Sequence, residues 1–186
     1  MGMRLYGLAL SLLLLPALVF ADAARAQQAE FPIGVVDVPN VLRNSQAAEG
    51  IKAAIEERRN AYQAQMLDVQ KQLKEEETAL IQQRAILAPN AFQSKKKEFE
   101  ERVVAAQRQV QERKQIIDQA FNKAMQEVRQ VMVEEITKIA DEKNLQLILF
   151  KNQIVLAQKS LDYSKDILER VNKRLPSVTV ELPPIE

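Results

Sequence analysis

Glycine and proline are almost absent between residues 51 and 175, where Pro89 stands alone. Average usage would place about 15 such residues in a segment of that length. An interior glycine costs a helix about 1 kcal/mol and a proline about 3 kcal/mol, so their absence predicts continuous helix. The lone proline marks the place where the chain turns. The sequence therefore predicts a helical hairpin over residues 51–143 with its tip at 88–90.

Apolar residues on both sides of Pro89 recur at alternating spacings of three and four, which is typical of the a and d positions of a left-handed coiled coil. Because the loop is short, the two arms must run antiparallel and face each other. On the first arm the rows are Met66, Leu73, Leu80 and Leu87 with Ile55, Tyr62 and Val69; on the second they are Val103, Val110, Ile117, Ala124 and Val131 with Phe92, Phe99, Ala106, Ala120 and Val128.

Three polar residues occupy core-type positions in this seam: Glu76, Gln83 and Arg113. Polar seam residues often do no more than set the register of a helix pair. A second interpretation is that they keep the hairpin loose for a functional reason. The sequence leaves both open.

Residues 1–26 have the pattern of a secretory signal peptide. Arg4 supplies the positive start, an uncharged apolar run follows from Leu8 to Phe20, and Ala24-Arg25-Ala26 offers small residues before a cleavage point at Gln27. The alternative is a membrane anchor, but the run falls short of the roughly 20 residues that span a bilayer. We expect export to the periplasm with cleavage.

Composition excludes much chemistry. The chain has no Cys and no His, so it offers no thiol nucleophile, no imidazole base and no Cys/His zinc site. Beyond residue 26 the only glycines are Gly34 and Gly50, too few for a phosphate-binding loop. The run Glu75-Glu76-Glu77 is most simply a solvated helix face. We expect no enzymatic activity, no cofactor and no metal.

Short strand patterns replace the heptads at the base of the hairpin. Residues 33–38 precede the first arm, which should begin near Val38–Asn40 with Asp37 as its cap and an irregularity at Gly50. Residues 145–150 and 154–157 read as a β-hairpin closed by Lys151-Asn152-Gln153. A short helix capped by Ser164 should follow and end at Pro176, leaving 176–186 extended or disordered.

These base segments, residues 31–50 and 144–175, predict a small β head that one chain cannot complete. Nearly unbroken apolar runs such as Leu147 to Phe150 indicate strands covered on both faces, and sheets of this size are marginal alone. We therefore expect copies of the chain to complete the head. The residues predicted for this contact are Val35, Val36, Ile148, Phe150, Ile154 and Leu156.

The predicted tip is locally basic, because no acid lies between Arg84 and Glu98. The chain carries 26 basic and 25 acidic groups, and without its leader it is neutral. The tip could be an ordinary charged helix surface, or a contact for an anionic partner such as an acidic polypeptide, a lipid headgroup or lipopolysaccharide. Neutral charge and export disfavour nucleic acid. The candidate contact residues are Arg84, Pro89, Phe92, Lys95, Lys96 and Lys97.

The whole layout resembles the Skp/OmpH family of periplasmic chaperones. The resemblance covers residues 31–175 and lies in the order strand, hairpin, strand, strand, helix, with base segments reading IGVVDV, PNVLRNSQAAEG and NLQLILF. It implies a jellyfish-like homotrimer whose helical arms hold unfolded outer-membrane β-barrel proteins without ATP. Well-known members are strongly basic, whereas this chain is neutral, so no lipopolysaccharide site is carried over.

Two other classes of protein compete with the chaperone interpretation. A periplasmic spacer needs only a coiled coil, but this sequence has no lipobox cysteine and no second membrane segment to anchor it. An efflux adaptor also carries a helical hairpin, but it requires a glycine-rich β-domain that residues 144–186 are too short to form.

Overall fold

The computed structural model describes residues 31–184, so the predicted signal peptide lies outside the described residues. The fold is mostly helical with one small sheet, as the α+β prediction has it. Two short 3-10 turns, Lys151–Gln153 and Lys159–Leu161, lie between the last strand and the last helix. The main elements are β1 (Ile33–Val36), α1 (Val38–Asn44), α2 (Gln46–Gln83), α3 (Pro89–Glu142), β2 (Leu147–Phe150) and α4 (Ser164–Arg174).

Helices α2 and α3 form an antiparallel hairpin. Near its tip the Lys95 Nζ donates to Gln83 Oε1 at 2.9 Å, and further down Arg102 is paired with Glu76. Residue numbers rise on one arm as they fall on the other, which only an antiparallel pair allows. The 54 residues of α3 give the hairpin a length of about 80 Å.

The turn lies slightly earlier than the sequence predicts. Residues 84–88 connect the arms, and Pro89 is already the first residue of α3, with Ala88 extended before it (φ −60°, ψ 144°). A proline fits the first helical position because its missing N–H would have no partner there. The predicted tip at 88–90 is corrected accordingly: Pro89 starts the return arm instead of forming the loop.

The irregularity in the first arm lies at Ser45 and not at Gly50. Asp37 caps α1 by accepting from the Asn40 N–H at 3.0 Å, as predicted. Ser45 then adopts an extended conformation, and its Oγ accepts from the Ala48 N–H at 3.3 Å to cap α2. The break is stable because its backbone donors find side-chain acceptors, whereas Gly50 lies within regular helix.

The two strands are parallel, with Ile33 opposite Leu147 and Val36 opposite Phe150. Parallel strands need a long crossover connection, and here the whole helical hairpin provides it. The predicted β-hairpin over 145–157 is wrong in this chain, because residues 154–157 form no strand. They pair with neither strand, and the sheet of the described chain consists of β1 and β2 alone.

Backbone and side-chain hydrogen bonds end α3 and connect α4 to the head. Asn144 takes a left-handed conformation (φ 52°), and the Leu145 N–H donates to the Ala140 carbonyl at 2.8 Å, which closes α3. At α4, Ser164 is the first helical residue and not the predicted cap. Its Oγ instead accepts from the Asp37 N–H at 2.8 Å and so joins α4 to β1.

The core lies where the hairpin meets the head. It draws on every main element except β2, whose Ile148 packs against it from the side. Full burial of an aliphatic side chain stabilises the fold by about 1.5–3 kcal/mol, so this cluster carries most of the stability. Its fully buried large members are Val36, Val41, Ile51, Val128, Met132, Ile139, Ile167 and Val171.

Residues 176–184 belong to the segment predicted to be extended or disordered, and they have no regular secondary structure. The structure adds that Val178, Val180 and Leu182 are half-buried against the core. The tail is therefore a packed part of the fold over the residues described.

Candidate functional site

The arms differ in packing along their length. In the root half of the hairpin, seam residues such as Ile55, Tyr62 and Ile117 are buried. In the distal half, from Gln63 to Ile116, no residue is buried, and most seam residues are half-exposed. Two helices alone cannot enclose a seam, so the distal half presents apolar surface to its surroundings.

The polar seam residues each contact the opposite arm. Glu76 pairs with Arg102, and Gln83 accepts from Lys95. The Arg113 guanidinium lies over the Tyr62 ring, 4.8 Å from its centroid, in cation–π contact. These pairs fit the interpretation that the polar residues set the register of the two arms.

Residues of both arms line an open cavity of about 440 Å³ just beyond the root. Its apolar lining comes from Tyr62, Met66, Val110 and Ile117, and Arg113 borders it. The Nη1 atom of Arg113 is buried and has no hydrogen-bond partner in the structure. Val110 is a seam residue by sequence, but here it lines the open cavity and is 43% exposed.

Large apolar side chains outside the seam are exposed on the distal half. Leu67 and Ile81 on α2, and Val104 on α3, each directly follow a seam residue and are mostly exposed. In an antiparallel helix pair, positions that follow equivalent seam positions turn to the same side. We call these three residues, with the cavity, the distal apolar face.

The predicted basic tip carries less free charge than the sequence indicates. Besides the contact of Lys95 with Gln83, Lys96 lies 3.6 Å from Glu100 and Lys97 lies 3.8 Å from Glu101. The sequence contains no acid within the basic cluster, and the acids that pair with its lysines lie one helical turn further along α3. Of the remaining predicted tip residues, Arg84 ends α2, Pro89 starts α3, and Phe92 is half-buried in the seam.

The predicted head residues fall into two groups. Val35 and Val36 are buried within the chain, so their side chains belong to its own core. Phe150 is 52% and Leu156 88% exposed, and Ile148 and Ile154 are half-buried. Leu147 and Val155 are further exposed apolar residues of the same region.

The carboxylate of Glu135 is buried at the root and pairs with cations from two helices. Glu135 accepts from Lys138 Nζ at 2.7 Å and from Arg174 Nη1 at 3.0 Å, so α4 is tied to α3. The hydrogen bond from Lys138, helped by Arg174, holds the pKa of Glu135 below its usual range against the effect of burial. Arg170 binds Glu142 with two hydrogen bonds of 2.7 and 2.6 Å and likewise lowers the pKa of that carboxyl.

Two kinds of site are missing from the described part of the chain. Residues 31–184 contain no group of acidic side chains arranged to hold a metal ion. Within the same residues, no helix combines the length and the apolar character needed to cross a bilayer.

Sequence reasoning missed the distal apolar face and the packed tail. Leu67, Ile81 and Val104 stand out only when they are placed beside the seam positions that precede them. The tail could have been found from the alternation of apolar residues at 178, 180 and 182.

Comparisons with known proteins agree with this architecture. The family described as outer membrane protein (OmpH-like) matches residues 32–171. No curated protein matches the chain. A crystal structure from Caulobacter crescentus CB15, described as an OmpH-like outer membrane chaperone, has a TM-score of 0.76 at 17% identity, covering 83% of this chain and 92% of that one. The match over residues 32–171 shows that this chain belongs to the OmpH-like family.

Proposed function

We propose that the protein is an ATP-independent periplasmic chaperone that holds unfolded outer-membrane β-barrel proteins between its helical arms. The observation that carries this proposal is the distal half of the hairpin, where exposed apolar residues flank an open cavity. The OmpH-like family implies a role with outer-membrane proteins. We infer a binding role and no catalytic one.

The distal apolar face suits a client of this kind. An unfolded barrel strand alternates apolar and polar side chains and has unpaired backbone groups, so it aggregates readily. Leu67, Ile81 and Val104 provide separated apolar contacts, and many such weak contacts give avidity without a deep pocket.

We further propose that the working form is a homotrimer joined through the head. Phe150, Val155 and Leu156 expose apolar surface that water alone would cover in a single chain. Residues 154–157 form no strand here, β2 is paired on one side only, and a neighbouring copy would pair with these segments. The number three comes from the family resemblance.

The direct test uses residues 27–186 and a urea-diluted outer-membrane β-barrel protein. We expect a native mass of three chains and suppressed light scattering of the client. A monomer that leaves aggregation unchanged would contradict the proposal. The double variant Phe150→Ser/Leu156→Ser should lower the native mass while circular dichroism still reports the helices.

A matched pair of variants tests the client surface. Leu67→Ser/Ile81→Ser/Val104→Ser removes three of the exposed apolar residues of the distal half, and we expect several-fold weaker client binding. Val133→Ser is the control, because Val133 is an equally exposed valine of α3 near the root. Equal client affinity for the triple variant and the control would remove the distal apolar face from the proposal.

A further inference from the structure

Residues 176–184, the tail segment, run along the root of the hairpin towards the tip. The segment leaves α4 where Arg174 pairs with Glu134 on α3. Further along, Glu181 lies 2.6 Å from Lys123. The α3 helix rises about 16 Å between these two contacts, a distance that an extended chain from Arg174 to Glu181 covers easily. The tail then reaches α2, where the Pro183 carbonyl accepts from Arg58.

The side chains of the tail alternate between the hairpin and solvent. Val178, Val180 and Leu182 are half-buried against the core, whereas Ser177, Thr179 and Glu181 are exposed. A period of two is that of an extended strand with one covered face. The surface beneath the tail is therefore shaped to receive an extended segment with an apolar residue at every second position.

The tail is held by side-chain packing and by polar contacts of Glu181 and Pro183, and not by backbone pairing. No backbone–backbone hydrogen bond holds residues 176–184 to the rest of the described chain. The Lys123–Glu181 pair is largely exposed, and ion pairs of that kind contribute little. The OmpH-like family model matches the chain as far as residue 171.

We propose that the surface beneath residues 176–184 is a second binding site for transmembrane strands of unfolded outer-membrane proteins, which displace the tail from it. Such strands alternate apolar and polar residues over about ten positions, and the tail shows the same alternation over residues 177–182. The inference rests on the proposed chaperone function and adds to it a site at the root, separate from the distal apolar face.

The tail would compete with clients for the surface beneath it, so that only a client able to displace the tail binds there. A short tether gives a docked segment an effective concentration in the millimolar range. A single weak apolar peptide cannot compete with that, whereas a client that already contacts the distal arms can. Apparent client affinity is reduced by the fraction of time for which the tail occupies the surface.

The test compares two variants of the full chain. Val178→Ser/Val180→Ser/Leu182→Ser removes the apolar side of the tail, and Ser177→Ala/Thr179→Ala changes only its exposed side. The client is a fluorescent, urea-diluted outer-membrane β-barrel protein. If the tail is docked for nine-tenths of the time, the triple serine variant should bind about tenfold more tightly. The control should bind as the wild type does.

Unchanged or weaker binding by the triple serine variant would overturn the inference and leave the tail as a brace of the root. Loss of aggregation suppression by the wild type itself would instead contradict the proposed chaperone function. The two failures are thus distinguishable.

A second measurement does not depend on weakening the tail. The chain has no cysteine, so Thr179→Cys and Gln126→Cys place two spin labels at unique exposed positions on the tail and on α3. We expect saturating client to lengthen and broaden the distance between them. A distance distribution that client leaves unchanged would overturn the inference.

Discussion

The root and distal halves of the hairpin follow the same seven-residue pattern, but they pack differently. At the root, β1, α1, α4 and the tail segment cover the seam from further sides, and residues such as Ile51 and Val128 become fully buried. From Gln63 to Ile116 only the two arms face each other, and no residue is buried. A heptad pattern thus predicts which residues face the partner helix. These residues become fully buried only where a third element covers the seam.

The largest expected effect is a difference in stability between core variants of the two halves. Ile139→Ala removes a fully buried side chain at the root and should lower the free energy of unfolding by about 2–5 kcal/mol. Leu73→Ala removes a half-buried seam residue of the distal half and should cost only about 1 kcal/mol. Urea denaturation followed by circular dichroism measures both. Equal losses would contradict the comparison.

The next effect concerns the charged groups of the root. Glu135→Gln weakens the contacts with Lys138 and Arg174 and should cost about 1–3 kcal/mol at neutral pH. Because the pKa of Glu135 in the folded protein is lowered from 4.5, its contribution is present above pH 4.5 and is lost as the pH falls through the folded value.

Thermal unfolding between pH 7 and pH 3 therefore tests the same carboxylate. The wild type should lose stability below about pH 4.5, and Glu135→Gln should show a smaller loss over that range. Asp141→Asn, an exposed change on the same helix, is the control. Identical pH profiles for wild type and Glu135→Gln would exclude this role for Glu135.

A smaller effect is expected for the ion pair across the distal arms. Arg102 and Glu76 are both partly exposed, and such pairs contribute about 0.2–1 kcal/mol. A double-mutant cycle with Glu76→Gln and Arg102→Gln should return a coupling energy in that range. A coupling near zero would show that this pair does not set the register of the arms.

The smallest effect is expected at the tip. Lys95→Gln/Lys96→Gln/Lys97→Gln removes cations that already contact Gln83, Glu100 and Glu101. Client affinity at low salt should fall by about threefold or less, since exposed charges steer binding weakly. A much larger loss would favour the tip as an anionic-partner site.

Local sequence patterns predict the helices better than the head. The absence of glycine and proline predicts both arms. A proline is compatible with a loop and with a helix start, so the sequence predicts the turn at 88–90, whereas residues 84–88 form it. The parallel pairing of β1 with β2 depends on contacts between residues far apart in sequence. The run at 154–157 resembles a strand, yet in the described chain it pairs with neither β1 nor β2.

The candidate site was predictable only in part. Heptad rows locate the seam, but they do not show that Val110 lines an open cavity where no third element covers the two arms. Acids one turn past the tip lysines neutralise a cluster that looks free in sequence. The tail was predicted as extended, and its packing depends on a surface formed jointly by α2 and α3.

Hydrogen exchange followed by mass spectrometry tests the central claim most directly, because it reports the opening free energy of each part of the hairpin. We expect peptides from residues 63–116 to exchange well before those from 117–142 in the free protein, and to become protected when an unfolded outer-membrane protein is added. Equal protection of the two halves in the free protein, with no change on adding client, would contradict the account.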